Sequence, residues 1–288
     1  MRWIRGNDDQ SNYEDRRGKR VKRAAGGGII SIVIIVIAVL LGKDPSSFLQ
    51  IADQVLPSQG QQEVVTDPTA ARENEDLKVF SLRVFNSCNE VWTDIFSREL
   101  KRTYKNPTFV TFTDETLSGC GGATSATGPF YCPADEKVYI DLSFFHELAN
   151  RFKAPGDLAM AYVTAHEVGH HVQHLLGTLS RVQSMRGRVS EVEYNKLQVK
   201  LELQADFYAG LWANYAQKMG IIALEEGDLE SAIRAAEAIG DDTLQKQSQG
   251  YVVPDAFTHG SSEQRMYWFK RGFDTGDFSR GDTFAELK

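Results

Sequence analysis

From Ala24 to Gly42 the chain runs for 19 positions without a charged side chain, and Ile29 to Leu41 is almost wholly Ile, Val and Leu. As a helix this run is roughly 28 Å long at about 1.5 Å per residue, close to the hydrocarbon thickness of a bilayer. β-branched residues are mediocre helix formers in water, but in lipid every backbone N–H must bond within its own segment, so helix is the permitted form. A cleaved signal peptide is disfavoured, because the basic stretch before the run is long and no Ala-x-Ala-like site follows it. A buried core helix would carry polar punctuation on one face. Residues 1–23 hold eight Lys/Arg against four Asp/Glu, a net of 8 − 4 = +4, so with −7 overall the remainder holds −7 − 4 = −11. The cluster Arg16 to Arg23 precedes the run and only Lys43 immediately follows it. The positive-inside rule then predicts a cytoplasmic N-terminus and a translocated C-terminal part. The expected organisation is a basic N-terminal segment 1–23, a transmembrane helix 24–42, a polar linker 43–76 and a folded domain 77–288.

With 288 residues, 25% charged and 42% hydrophobic, the chain is globular rather than disordered, with room for one enzyme-sized domain and an appendage. Its acidic balance argues against nucleic acid as a partner, since phosphate binding needs a basic footprint. Three cysteines are present. Cys120 and Cys132 bracket a loop rich in Gly, Ser, Ala and Thr and are the natural pair to oxidise outside the cytoplasm. Cys88 falls in a helical pattern with Val84, Phe85, Val91, Trp92 and Ile95 and reads as core packing.

The chemistry concentrates in Thr164-Ala165-His166-Glu167-Val168-Gly169-His170-His171-Val172-Gln173-His174, inside a helical run from about 156 to 176. His166 and His170 are four apart, so their imidazoles project from one face, one turn apart, as two ligands of one zinc ion require. Glu167 follows, where a helix can aim a carboxylate at a metal-activated water; this is the His-Glu-x-x-His arrangement of zinc peptidases. A third ligand is needed. His174 lies eight residues beyond His166, about 12 Å along the helix, too far for bonds near 2 Å to one ion. The metzincin extension fails, because Gln173 and Leu176 stand where Gly and His would be needed. His171 and His174 read as local hydrogen-bonding or packing residues.

A second helical run, from about 191 to 218, carries Glu202-Leu203-Gln204-Ala205-Asp206. Glu202 and Asp206 share a face, and the small residues Ala205, Ala209 and Gly169 let the two helices approach. Glu202 is the expected third ligand. Asp206 is the expected carboxylate behind a ligating histidine, accepting its N–H and fixing its tautomer. Lys137 to Asp141 reads as a strand, either a sheet edge on which an extended peptide is laid or an ordinary strand. Ser261 and Gln264 form a capping box opening a helix through Trp268. His259, just before it, is a candidate hydrogen-bond donor to the oxyanion of a tetrahedral intermediate, and Arg265 a candidate anchor for an acidic neighbour.

These residues resemble a known family. The basic N-terminus and apolar run, Ser118-Gly119-Cys120-Gly121, Gly128-Pro129-Phe130-Tyr131-Cys132-Pro133, Val138 to Phe145, the His166 motif, Glu202 to Asp206 and Thr258 to Arg265 together resemble the bacterial membrane-anchored neutral zinc metallopeptidases of the YpfJ type. Similarity to the wider gluzincin group implies zinc binding by His166, His170 and Glu202. The expected fold is α+β and mostly α: a zincin-like domain with a small sheet and an active-site helix pair, preceded by a single transmembrane helix. The expected activity is zinc-dependent endopeptidase hydrolysis, with Glu167 as general base, a peptide or protein as substrate and the domain on the periplasmic side of the inner membrane. The competing reading is a membrane-tethered zinc-binding scaffold without turnover.

Overall fold

A computed structural model describes residues 1–18 and 68–287. The 24–42 run, expected as a membrane span, and most of the expected linker lie outside the described residues. Among the described residues no helix is long and apolar enough to cross a membrane. In chain order the elements are β1 (Arg2–Trp3), β2 (Tyr13–Asp15), α1 (Pro68–Arg98), β3 (Thr108–Phe112), β4 (Glu115–Ser118), β5 (Gly121–Thr124), β6 (Phe130–Cys132), β7 (Lys137–Asp141), α2 (Ser143–Asn150), α3 (Asp157–Leu176), α4 (Thr178–Gln183), α5 (Glu191–Lys218), β8 (Ile222–Ala223), α6 (Asp228–Ala238), α7 (Asp241–Gln249), α8 (Ser262–Thr275) and α9 (Thr283–Glu286). The architecture is mostly helical α+β.

Helix α3 is buried over nearly its whole circumference, from Leu158 to Gln173, because β6 and β7 lie on one side of it and α5 and α6 on others. Such a helix can be apolar all round. It stops at Gly177, whose φ of 80° is left-handed and favours glycine over any side chain. Helix α5 opens on a capping box in which Ser190 and Glu193 satisfy each other's backbone N–H, and α8 opens on the same device from Ser261 and Gln264.

The α5 and α8 backbones meet where both helices carry glycine. A Cβ on Gly210 would lie 1.9 Å from the Phe269 carbonyl oxygen, and one on Gly272 would lie 2.1 Å from that of Phe207. Gly169 of α3 lies similarly against Ala205 of α5, where a Cβ would stand 3.2 Å from the Ala205 oxygen. Around these crossings the core is aromatic: Trp92, Phe96, Phe207, Tyr208, Trp212, Trp268 and Phe269 are all buried. Val84, Phe85, Cys88, Val91, Trp92 and Ile95 of α1 point into it, with Cys88 a free thiol.

The main sheet has the order β2-β3-β7-β6, with β2, β3 and β7 parallel and β6 antiparallel to β7. Strand β7 is therefore interior; its edge-strand reading is corrected to β6, because hydrogen bonds occupy both sides of β7. Two expected boundaries also differ. Helix α1 begins at Pro68, inside the stretch 43–76 read as linker, because Pro suits the first turn of a helix and Ala70, Ala71, Arg72 and Glu73 after it are good helix formers. Residues 1–17, read as a segment apart from the domain, lie on it: β1 pairs antiparallel with β8, and β2 extends the main sheet beside β3. Charge alone marked this segment, and the alternation that places Tyr13 and Asp15 on one face is too short to register as a strand.

Candidate active site

Helices α3 and α5 bring His166, His170 and Glu202 together. One ligand atom from each lies within 4.8 Å of the others, the sole such group of His, Cys, Asp and Glu among the described residues. His166 Nε2 is 3.2 Å from Glu202 Oε2, and His170 Nε2 is 3.5 Å from Glu202 Oε1. The other nitrogen of each ring is held from behind. His166 Nδ1 donates to Asp206 Oδ1 at 2.8 Å, and His170 Nδ1 donates to Gln173 Oε1 at 2.9 Å. Gln173 is itself fixed, since its amide donates to the Leu201 carbonyl at 2.7 Å and to Gln204 Oε1 at 3.2 Å. Both rings thus keep Nε2 for whatever lies between them.

Asp206 is fully buried and accepts four hydrogen bonds: from Tyr162 at 2.5 Å, from His166, and from Arg265 Nε and Nη2 at 2.8 and 2.9 Å. Arg265 also donates to the Tyr162 hydroxyl and to the Ile239 carbonyl. Burial alone would raise the Asp206 carboxyl, but the Arg265 and His166 charges hold it down at about 2. Burial opposes charging His166, yet Asp206 and Glu202 beside it raise its pKa to about 9. Burial also opposes charging His170, and Glu202 again outweighs it and raises the pKa. Glu202 itself sits well below the usual carboxylate range: burial pushes it up, and His170 and His166 more than reverse that. The cluster sets one carboxylate against two imidazoles, and a divalent cation held among them would take the place of the protons that their mutual bonds require. Two imidazole nitrogens and one carboxylate, each oriented from behind, fit zinc.

Glu167 is buried and lines the same cleft. The cleft, about 1020 Å³ in volume, is walled by Phe130 and Tyr131 of β6, Phe144 of α2, Phe152 and Leu201. The Cys120–Cys132 disulfide ties down the segment that carries the β6 wall. His259, half exposed, also lines the cleft, with Nδ1 3.1 Å from Asp241 Oδ1. The second oxygen of Asp241 accepts the backbone N–H groups of Thr258, His259 and Gly260, which fixes the loop. Burial lowers the His259 pKa, but Asp241 and the Glu202 charge outweigh it and raise it.

His171 and His174 point elsewhere. His171 Nε2 donates to the Lys105 carbonyl at 2.7 Å and Nδ1 accepts from the Tyr131 hydroxyl; burial holds the ring neutral, with a pKa of about 4. His174 faces Glu136 at 3.8 Å. Sequence reasoning missed Tyr162, Gln173 and Asp241. Tyr162 and Gln173 carried a usable signal, lying four residues before His166 and three after His170 on the same helix. Asp241 carried none.

The sequence model of the family described as "Putative neutral zinc metallopeptidase" matches residues 1–284. The chain belongs to that family. It is 48% identical over 225 residues to "Uncharacterized protein YpfJ" of Escherichia coli (strain K12), covering 78% of this chain and 77% of the relative. It is 39% identical over 262 residues to "Uncharacterized protein Mb2605" of Mycobacterium bovis, covering 86% and 85%. The Mycobacterium tuberculosis H37Rv protein "Uncharacterized protein Rv2575" matches at the same identity and coverage. No solved structure matches the chain.

Proposed function

We propose that this chain is a zinc-dependent endopeptidase of zincin type. The observation that supports the reading best is the meeting of three oriented ligands, His166, His170 and Glu202, with Glu167 one residue along, on the wall of an open cleft. A structural zinc site closes its coordination with a fourth protein ligand, whereas among the described residues this group numbers three. That favours turnover over the scaffold reading. Zinc held by His166, His170 and Glu202 would supply Lewis-acid chemistry there.

The chain's own groups supply the rest. Glu167 takes the proton of the attacking water and passes it to the leaving amine. Asp206 and Gln173 hold the two imidazole rings in the tautomer that presents Nε2. His259, oriented by Asp241 and raised in pKa, donates toward the carbonyl oxygen as it gains charge. Among the described residues strand β6 has one paired neighbour, β7, and its Phe130 and Tyr131 line the cleft, so an extended peptide can lie along its other edge.

The test compares full-length protein in detergent, wild type against Glu167→Gln and His166→Ala, for zinc content and cleavage of an unfolded protein substrate. Glu167→Gln is expected to keep its zinc and lose about 10²–10⁴-fold in rate, and His166→Ala to lose both. Zinc-loaded wild type that cleaves nothing would favour the scaffold, and undiminished cleavage by Glu167→Gln would remove the assigned base.

A further inference from the structure

The N-terminal segment is bound to the domain along its length. Beyond the strand pairings, Tyr13 Oη meets Thr111 Oγ1 at 2.6 Å, the Phe109 N–H donates to the Asn12 carbonyl, and the Arg16 N–H donates to that of Thr111. Asn86 of α1 donates to the carbonyls of Asn7 and Asp9. Charges interlock in both directions. Arg2 faces Glu225, Arg5 pairs with Glu90, and Arg17 bridges Asp15 and Glu75. In return Arg83 of α1 holds Asp8, and Lys137 of β7 holds Glu14.

A single bilayer crossing between Gly18 and Asn74 would put these partners on opposite faces of about 30 Å of hydrocarbon. Docking of the segment and a single crossing by 24–42 therefore exclude each other. A return crossing would need a second apolar stretch of about 20 residues, and 43–73 holds Lys43, Asp44, Asp53, Glu63, Asp67, Arg72 and Glu73 instead. The charge bias that points to a cytoplasmic N-terminus rests partly on Arg2, Arg5, Arg16 and Arg17, all of which face carboxylates. We propose that residues 1–17 and the domain from Asn74 onward occupy one and the same side of the membrane, so that 24–42 does not separate them. The Cys120–Cys132 disulfide, a bond that persists in oxidising compartments, makes that side the extracytoplasmic one. The proposal is independent of the peptidase reading.

Single cysteines placed at two exposed serines, Ser11→Cys in the segment and Ser248→Cys in the domain, test it in the full chain. The native thiols are silent, because Cys88 is buried and the other two are bonded. Both variants are expected to react with a membrane-impermeant maleimide in intact spheroplasts to the same extent as after lysis. Reaction of Ser248→Cys before lysis and of Ser11→Cys only after it would overturn the shared side, and protection of both until lysis would overturn the compartment. As a second measurement, Asp8→Cys with Arg83→Cys is expected to give an intramolecular product with a short bismaleimide in the same spheroplasts. Failure to cross-link there would also count against the proposal.

Discussion

Asp206 is a charge that the interior tolerates only because Arg265 sits on it. Removing one member of a buried, hydrogen-bonded pair strands the other, at about 3–5 kcal/mol. Arg265→Ala is therefore expected to lower unfolding stability by about that amount in urea titration of the metal-free protein. Asp206→Asn strands the Arg265 charge in the same way and adds a second signature: it weakens the hold on the His166 ring, so zinc affinity measured against a competing chelator should fall by about 10–100-fold. At this scale, legibility in the sequence followed separation along the chain. His166, Glu167 and His170 are read from helical spacing together with the His-Glu-x-x-His motif, and Glu202 and Asp206 needed one further assumption, that two helices touch. Arg265 was legible only as a base in want of an acid, because its partner Asp206 lies 59 positions away in the sequence, a separation that no local pattern spans.

The helix crossings place those side chains, and glycine and alanine set how close the crossings come. Gly210→Ala drives a methyl into the Phe269 carbonyl, a backbone atom with no rotamer to give way, so α5 and α8 must separate. The expected loss is at least about 1–3 kcal/mol, read as a lowered Tm, and Arg265 moves with α8. Gly169→Ala meets Ala205 at a contact a few tenths of an ångström tight, and is expected to weaken zinc binding more than stability by widening the gap between the His pair and Glu202. A chelator titration beside a melt separates the two outcomes. The bounds of α3 and α5 were legible from helical spacing, and the structure marks two of them with local devices, a left-handed Gly177 and the Ser190 capping box. The order of the sheet was not. Whether β6 or β7 forms the edge depends on which strands pair, and three-residue β6 carries too little alternation to announce itself.

For the molecule as a whole, the docked N-terminal segment makes one domain of two stretches of chain that charge and hydropathy set apart. Its attachment depends on ionisation. The Asp8 carboxyl is held low by its bond to Arg83 and that of Asp15 by its bond to Arg17. Glu14 is raised by burial but lowered further by Lys137 and Arg16, and Glu75 is lowered by Lys78 and Arg17. Folded values below the ordinary carboxylate pKa of about 4 mean that these pairs contribute in full above that pH, and that the contribution is lost as pH falls through the depressed values. The Cys120–Cys132 bond and the aromatic core do not titrate in that window. Acidification from pH 6 to pH 3 is therefore expected to loosen the segment before the domain. Amide exchange at Tyr13 to Asp15 should accelerate while that of α3 stays protected, and added salt should produce part of the same effect at pH 6 by screening the exposed pairs. Exchange of β2 and α3 rising together would mean that the strand pairing, rather than its charges, holds the segment.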